Sequence, residues 1–203
     1  MRYLLAALFT TAIITSACSN PDIKSETQEK GPAGMAESRH STAFNQSVQA
    51  ALQTYYNLTE AFVNWDSVAA TRLANDLGGK LDSLSLNSMK DSAVINTAPG
   101  TSIADAKNDL SAMTAANDIT AKRRALNSFT DHFYRFLNAA QYDRQKLYLQ
   151  ECPMAFNDEE PGVWLSPADS IRNPYLGLHH PRYGKGMLEC GDNKEVLNFT
   201  GTK

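Results

Sequence analysis

The stretch Phe44–Phe62, "FNQSVQAALQTYYNLTEAF", decides the fold class. Phe44, Val48, Ala51, Tyr55, Leu58 and Phe62 recur at alternating steps of four and three. That spacing lines up one face of a helix. The same period continues downstream. Asp66 is placed to cap a second helix with the stripe Ala70, Leu73, Leu77, Leu81 and Leu84. Gly78–Gly79 interrupts that stripe and weakens it by about 1 kcal/mol per glycine relative to alanine. "NTAPGTS" (Asn96–Ser102) carries Pro-Gly turn chemistry and reads as a loop. Ser102 and Asp105 then form a capping-box-like start for a third stripe, Ile103, Ala106, Leu110 and Met113. Asp118 caps a fourth, with Leu126, Phe129, Phe133, Phe136 and Ala140 facing inward. Four amphipathic segments with short connections predict a mainly α chain: an antiparallel up-and-down four-helix bundle over residues 44–140. His132, beside Phe129 and Phe136, reads as a boundary histidine with a hydrogen-bond partner.

Past Ala140 the pattern changes. "KLYLQEC" (Lys146–Cys152), "GVWLS" (Gly162–Ser166) and "EVLNF" (Glu195–Phe199) are short and part-alternating, as strands are. Prolines at 153, 161, 167, 174 and 181 break the intervening chain. Residues 141–203 therefore read as an irregular cap containing a small β-sheet, packed on the bundle to complete one domain over residues 44–203.

Upstream of the helices the chain is of a different kind. Residues 1–17 of "MRYLLAALFTTAIITSAC" have one basic residue, an apolar run and a small-residue end. This is the layout of a secretory signal, and the run is too short for a confident span, which needs about 20 residues. "TSAC" looks like a lipobox, with Thr15 where leucine is usual, so the expectation is cleavage after Ala17 and lipidation of Cys18. Ser19 follows the cysteine, which leans towards the outer membrane, facing the periplasm. Residues 18–43 are polar and aperiodic and read as a flexible tether, with Met35 and His40 exposed. Without Arg2 the 19 basic residues become 18 against 22 acidic, a net charge of −4. Beyond "KRR" (Lys122–Arg124) the chain has no basic cluster, so no nucleic-acid partner is expected.

The chemistry concentrates in the cap. Cys152-Pro-Met154 and Met187-Leu-Glu-Cys190 each place a thiol and a thioether within a few residues. Both sulfur types are soft ligands that suit Cu(I), and the thiols also suit zinc. The competing reading is a Cys152–Cys190 disulfide with Met154 and Met187 as core filler, a staple worth roughly 3–4 kcal/mol. Residue types and spacing leave the two level. "NDEE" (Asn157–Glu160) lacks the ligand spacing of a calcium loop and reads as a solvated turn.

"YYNLTEAFVNWD" (Tyr55–Asp66), "CPMAF" (Cys152–Phe156), "WLS" (Trp164–Ser166), "IRNPY" (Ile171–Tyr175) and "MLECG" (Met187–Gly191) occur in that order. This set resembles the family of domains of unknown function numbered 3347 (DUF3347). Such domains occur in exported bacterial proteins and are fused to periplasmic adaptor subunits of copper/silver efflux pumps of the CusB type. The resemblance runs roughly from Phe44 to the C-terminus. It implies a heavy-metal association and points to Cys152, Met154, Met187 and Cys190 as metal ligands. The chain departs from the family after "NPYLG" (Asn173–Gly177), where "HPRYG" (His180–Gly184) looks like a second version of the same turn. This insertion brings in His179 and His180 as optional further ligands.

The expected function is a lipid-anchored binder of a soft ion, Cu(I), held for buffering or for delivery to an efflux or other envelope partner. The alternative is a metal-free helical interaction module stapled by the disulfide. An enzyme is not expected: Ser166 lacks a glycine elbow and neither thiol carries a catalytic signature.

Overall fold

Helix α1 spans Thr42–Val63. Ser41 starts it, its hydroxyl accepting from the Phe44 N–H at 3.2 Å, which satisfies one of the free donors of the first turn. All six residues of the opening stripe are buried. Asp66 caps α2 (Ser67–Asp82), accepting from the Ala69 N–H at 2.8 Å. Asp118 caps α4 (Ile119–Ala140) in the same way through the Ala121 N–H at 2.8 Å. Helix α3 (Ala98–Ala115) lies between them. The computed structural model describes residues 37–84 and 98–201. The expected signal segment, Cys18 and Met35 lie outside the described residues.

The chain is mainly α with one small sheet. Consecutive helices pack on each other, α1 on α2, α2 on α3 and α3 on α4. Aromatic side chains also bring α1 against α4: the Tyr55 ring stacks on Phe129 at 5.8 Å and lies 6.0 Å from Phe133. His132 finds the partner expected of it, Asp109 of α3, at 2.6 Å. Burial holds the Asp109 pKa above its ordinary value despite that bond.

Three antiparallel strands form the sheet in the order β2-β1-β3: β1 Leu147–Phe156, β2 Glu160–Ser166 and β3 Asp192–Leu197. The hairpin between β1 and β2 turns through Asn157 (φ +55°) and Asp158 (φ +63°). Consecutive left-handed residues match the twist of antiparallel strands, and Asn and Asp tolerate that conformation best after glycine. The outer edge of β2 is closed by the helices. The Val163 N–H donates to Asn127 Oδ1 at 2.8 Å, and the Leu165 N–H to the Tyr55 hydroxyl at 3.0 Å. Tyr55 is fully buried and its hydroxyl pairs with Thr130 at 2.9 Å.

Three expectations need correction. Helix α3 begins at Ala98, so part of the predicted "NTAPGTS" loop is its first turn, and Ser102 is not its cap. Proline is tolerated in a first helical turn because no intrahelical acceptor awaits its missing N–H. Strand β1 does not stop at Cys152 but runs through Pro153 to Phe156. Pairing to β3 ends at Glu151↔Asp192, and the register to β2 shifts between Cys152 and Phe156. Pro153 therefore falls where little ladder bonding is asked of it. His40, expected to be exposed in the tether, packs on Phe44 at 4.6 Å, with Nε2 buried. Its neighbours are pinned by the buried Asp143 carboxylate, which accepts from Ser38 Oγ at 2.7 Å and the Arg39 N–H at 2.8 Å.

Candidate dithiol site

Strand β1 carries Cys152 into the core with no exposed surface. Its partner on β2 is Gly162. On the other side β3 pairing ends at Glu151↔Asp192, which makes Gly191 the next residue in register. Both glycines are required by close neighbours, Ala155 and Tyr175 at Gly162 and Glu151 and Trp164 at Gly191. A Cβ on Gly162 would meet the Tyr175 ring at 2.8 Å, and one on Gly191 would meet the Trp164 ring at 3.0 Å and the Glu151 carbonyl at 2.8 Å. The Tyr175 and Trp164 rings thus occupy the space beside these two glycines, on either side of the buried Cys152.

Cys190 comes from the turn ahead of β3 and is partly exposed. Its N–H donates to the Met187 carbonyl at 3.1 Å. Asn173, fully buried, holds this turn from outside. The Asn173 side-chain amide donates to the Cys190 carbonyl at 2.8 Å, and its backbone N–H to the Leu188 carbonyl at 2.8 Å. Its side-chain oxygen accepts from the Tyr175 N–H at 2.8 Å and the Leu176 N–H at 3.0 Å. One side chain thus joins the "NPY" turn to the "MLECG" turn.

The result is two free thiols with Sγ atoms 3.7 Å apart. A disulfide needs about 2.05 Å. Two sulfurs bound to one tetrahedral ion at about 2.3 Å are about 3.8 Å apart, and a linear pair would be about 4.6 Å apart. Burial first, then the charge of Cys152, push the Cys190 thiol up to about 11. At neutral pH it is a protonated, weakly nucleophilic thiol.

Met154 and Met187 are partly buried and pack against the hydrophobic core. The histidines do not join the thiols. Among the described residues no three His, Cys, Asp or Glu side chains converge as a metal site. His179 is exposed. His180 is committed elsewhere: its ring stands edge-on to Trp65 at 5.6 Å and stacks on Tyr183 at 4.9 Å.

Its Nδ1 accepts from the Arg182 N–H at 3.2 Å and the Tyr183 N–H at 3.3 Å. This reproduces the Asn173 turn. In each, the first side chain accepts from the N–H groups two and three residues on. Its carbonyl then accepts from a left-handed glycine, Gly177 (3.0 Å, φ +55°) or Gly184 (2.8 Å, φ +53°). The two copies differ in surroundings. A Cβ on Gly177 would lie 2.5 Å from the Val63 carbonyl, whereas one on Gly184 meets open space. Gly184→Ala should cost about 1 kcal/mol for backbone conformation alone, and Gly177→Ala at least about 2 kcal/mol because the α1 end must also move. Paired urea denaturation curves check the difference.

Sequence reading missed the residue that ties the cap to the helices. "KRR" is not a surface patch. Lys122 is buried and donates to Thr71 Oγ1 at 2.8 Å. Arg124 is an exposed partner of Glu160 at 2.8 Å. Arg123, 3% exposed, donates to the Phe62 carbonyl at 2.9 Å and the Pro174 carbonyl at 3.0 Å, with its guanidinium 4.0 Å from the Trp65 ring. Burial lowers its pKa, since the charged form is the one desolvated. Trp65 completes the junction by donating from Nε1 to the Leu176 carbonyl at 3.1 Å. Asn173 had a signal: asparagine before proline is a turn starter.

No curated protein and no solved structure matches the chain. The family match covers α1 from its third turn, α2, α3 and α4, and it stops ahead of β1 and both thiols. Residues 51–145 match the model of the family described as "Protein of unknown function (DUF3347)", and that match supports the family resemblance for the helical half of the chain.

Proposed function

We propose that this chain binds a soft metal ion, Cu(I), through Cys152 and Cys190, with Met154 and Met187 completing the sulfur set. The observation that carries the reading is the pair of free thiols at 3.7 Å, a spacing that suits two sulfurs on a tetrahedral ion. The complete burial of Cys152 supports it by keeping water from a soft-ligand site. The wider reading follows the sequence. Helices α1–α4 form an up-and-down bundle, Cys18 carries lipid, and the domain faces the periplasm from the outer membrane. There it buffers copper or delivers it to an efflux or other envelope partner, and it catalyses no reaction.

The test is titration of the reduced full chain with Cu(I) against a competing chelator. One ion per chain is expected, and the C152S/C190S double variant should lose it. Each coordinating thiol releases a proton on binding, and Cys190 is protonated up to about pH 11. Affinity should therefore fall about tenfold per unit of acidification for each protonated thiol. A pH-independent affinity would remove the thiols from the site, and no uptake by the reduced chain would remove the metal reading.

A second reading has its own support, since the same contact lets Cys152 and Cys190 bridge after a small approach. The chain would then be an interaction module with a stapled cap. Thiol counting after purification without reductant separates the two: two titratable thiols favour the metal, none favours the bridge.

A further inference from the structure

We infer that the two sulfurs act in order, with Cys190 receiving the ion and Cys152 closing on it second. This rests on the metal reading above and goes beyond it by assigning the route of exchange. The two thiols touch at 3.7 Å but differ in access. Cys152 has no exposed surface. Its partner on β2 is Gly162, Gly191 stands just ahead of β3, and the space beside these glycines is filled by Tyr175 and Trp164. Cys190 is partly exposed on a turn, between the exposed Glu189 and the exposed Asp192 one residue beyond Gly191. Glu151, the β1 residue opposite Asp192, also lies at this end of the sheet, where Lys194 partners it. The Asp192 carboxylate acts on the Cys190 thiol and favours approach of a cation.

A carrier that holds Cu(I) by thiolates can reach Cys190 while Cys152 stays covered. In the first step a bond from copper to a carrier sulfur breaks as the bond to Cys190 Sγ forms. The Cys190 proton passes through water to the departing sulfur, and copper stays Cu(I). In the second step Cys152 Sγ, already in contact, displaces another carrier sulfur with the same proton exchange. No strand need shift for the second step, because Asn173 anchors the Cys190 turn to the cap.

The experiment mixes the reduced full chain, C152S and C190S with the Cu(I)–glutathione complex in a stopped-flow instrument. Each single variant keeps one thiol, and C190S, left with the covered one, should take up copper at least about tenfold more slowly than C152S. An independent arm treats the unmutated reduced chain with iodoacetamide and maps the product by mass spectrometry. The first carbamidomethyl group should fall on Cys190. Uptake by C190S at the C152S rate, or first modification at Cys152, overturns the order and leaves the metal reading standing. Failure of the reduced wild type to take copper at all overturns both.

Discussion

Arg123→Met should destabilise the fold by about 3–5 kcal/mol, read as a lower midpoint in urea denaturation followed by far-ultraviolet circular dichroism. The substitution keeps the length of the side chain and removes its charge and donors. It leaves the Phe62 and Pro174 carbonyls without the hydrogen bonds they receive at 2.9 and 3.0 Å. It also ends the cation–π contact with Trp65 at 4.0 Å, worth about 2 kcal/mol when desolvated. Removing a buried charge recovers some desolvation energy, so the loss is smaller than the sum of these parts. Phe62 lies in the last turn of α1, where carbonyls lack helical partners and a cation is favoured by the helix dipole. Arg123 therefore ends one helix, belongs to another and grips the cap. Arg123→Lys should recover less than half, because an ammonium cannot span two carbonyls in the plane of a guanidinium. Arg124→Met is the control: it loses an exposed bond to Glu160 and a contact over the Phe156 ring at 4.5 Å, and should move the midpoint far less than Arg123→Met. Equal losses at 123 and 124 would refute the clamp.

Asn173→Leu should cost about 3–4 kcal/mol, since two buried N–H groups and the Cys190 carbonyl lose their partner together. Asn173→Asp separates the two jobs of this side chain. A carboxylate still accepts from Tyr175 and Leu176 but faces the Cys190 carbonyl with an oxygen instead of a donor. The turn should hold while Cys190 moves off Cys152. The expected signature is a smaller stability loss than in Asn173→Leu, with iodoacetamide reacting faster at Cys190 and Cu(I) binding weakened. Unchanged thiol reactivity in Asn173→Asp would mean that the asparagine supports the turn without positioning the sulfur.

The helices were readable because each rests on a local period. The stripes of α1, α2 and α4 are buried as read, and Asp66 and Asp118 cap as read. Gly78 and Gly79 did not break α2, whose buried stripe outweighs their weak propensity. Strand locations were legible, but the extent of β1 was not. Whether Pro153 can sit in a strand depends on which neighbours ask it for a hydrogen bond. The doubled turn was visible as "NPYLG" and "HPRYG", and both copies close with the same bonds. What they pack on was not visible, and that difference commits His180 to Trp65 and Tyr183.

The sulfur set shows the same division. Its proposed members, Cys152, Met154, Met187 and Cys190, were expected from residue type and from the family resemblance. That the two thiols meet, and that one is covered and the other partly open, are consequences of strand register and of Asn173, while His180 is held away by its packing on Trp65 and Tyr183. Local periodicity and capping act over one or two helical turns, so they are written in the order of residues and determine four helices and a short-stranded cap. Burial of Arg123 and contact between Cys152 and Cys190 depend on segments about 40 to 60 residues apart meeting. No local pattern records such meetings, because their free energy comes from partners that only the folded chain brings together.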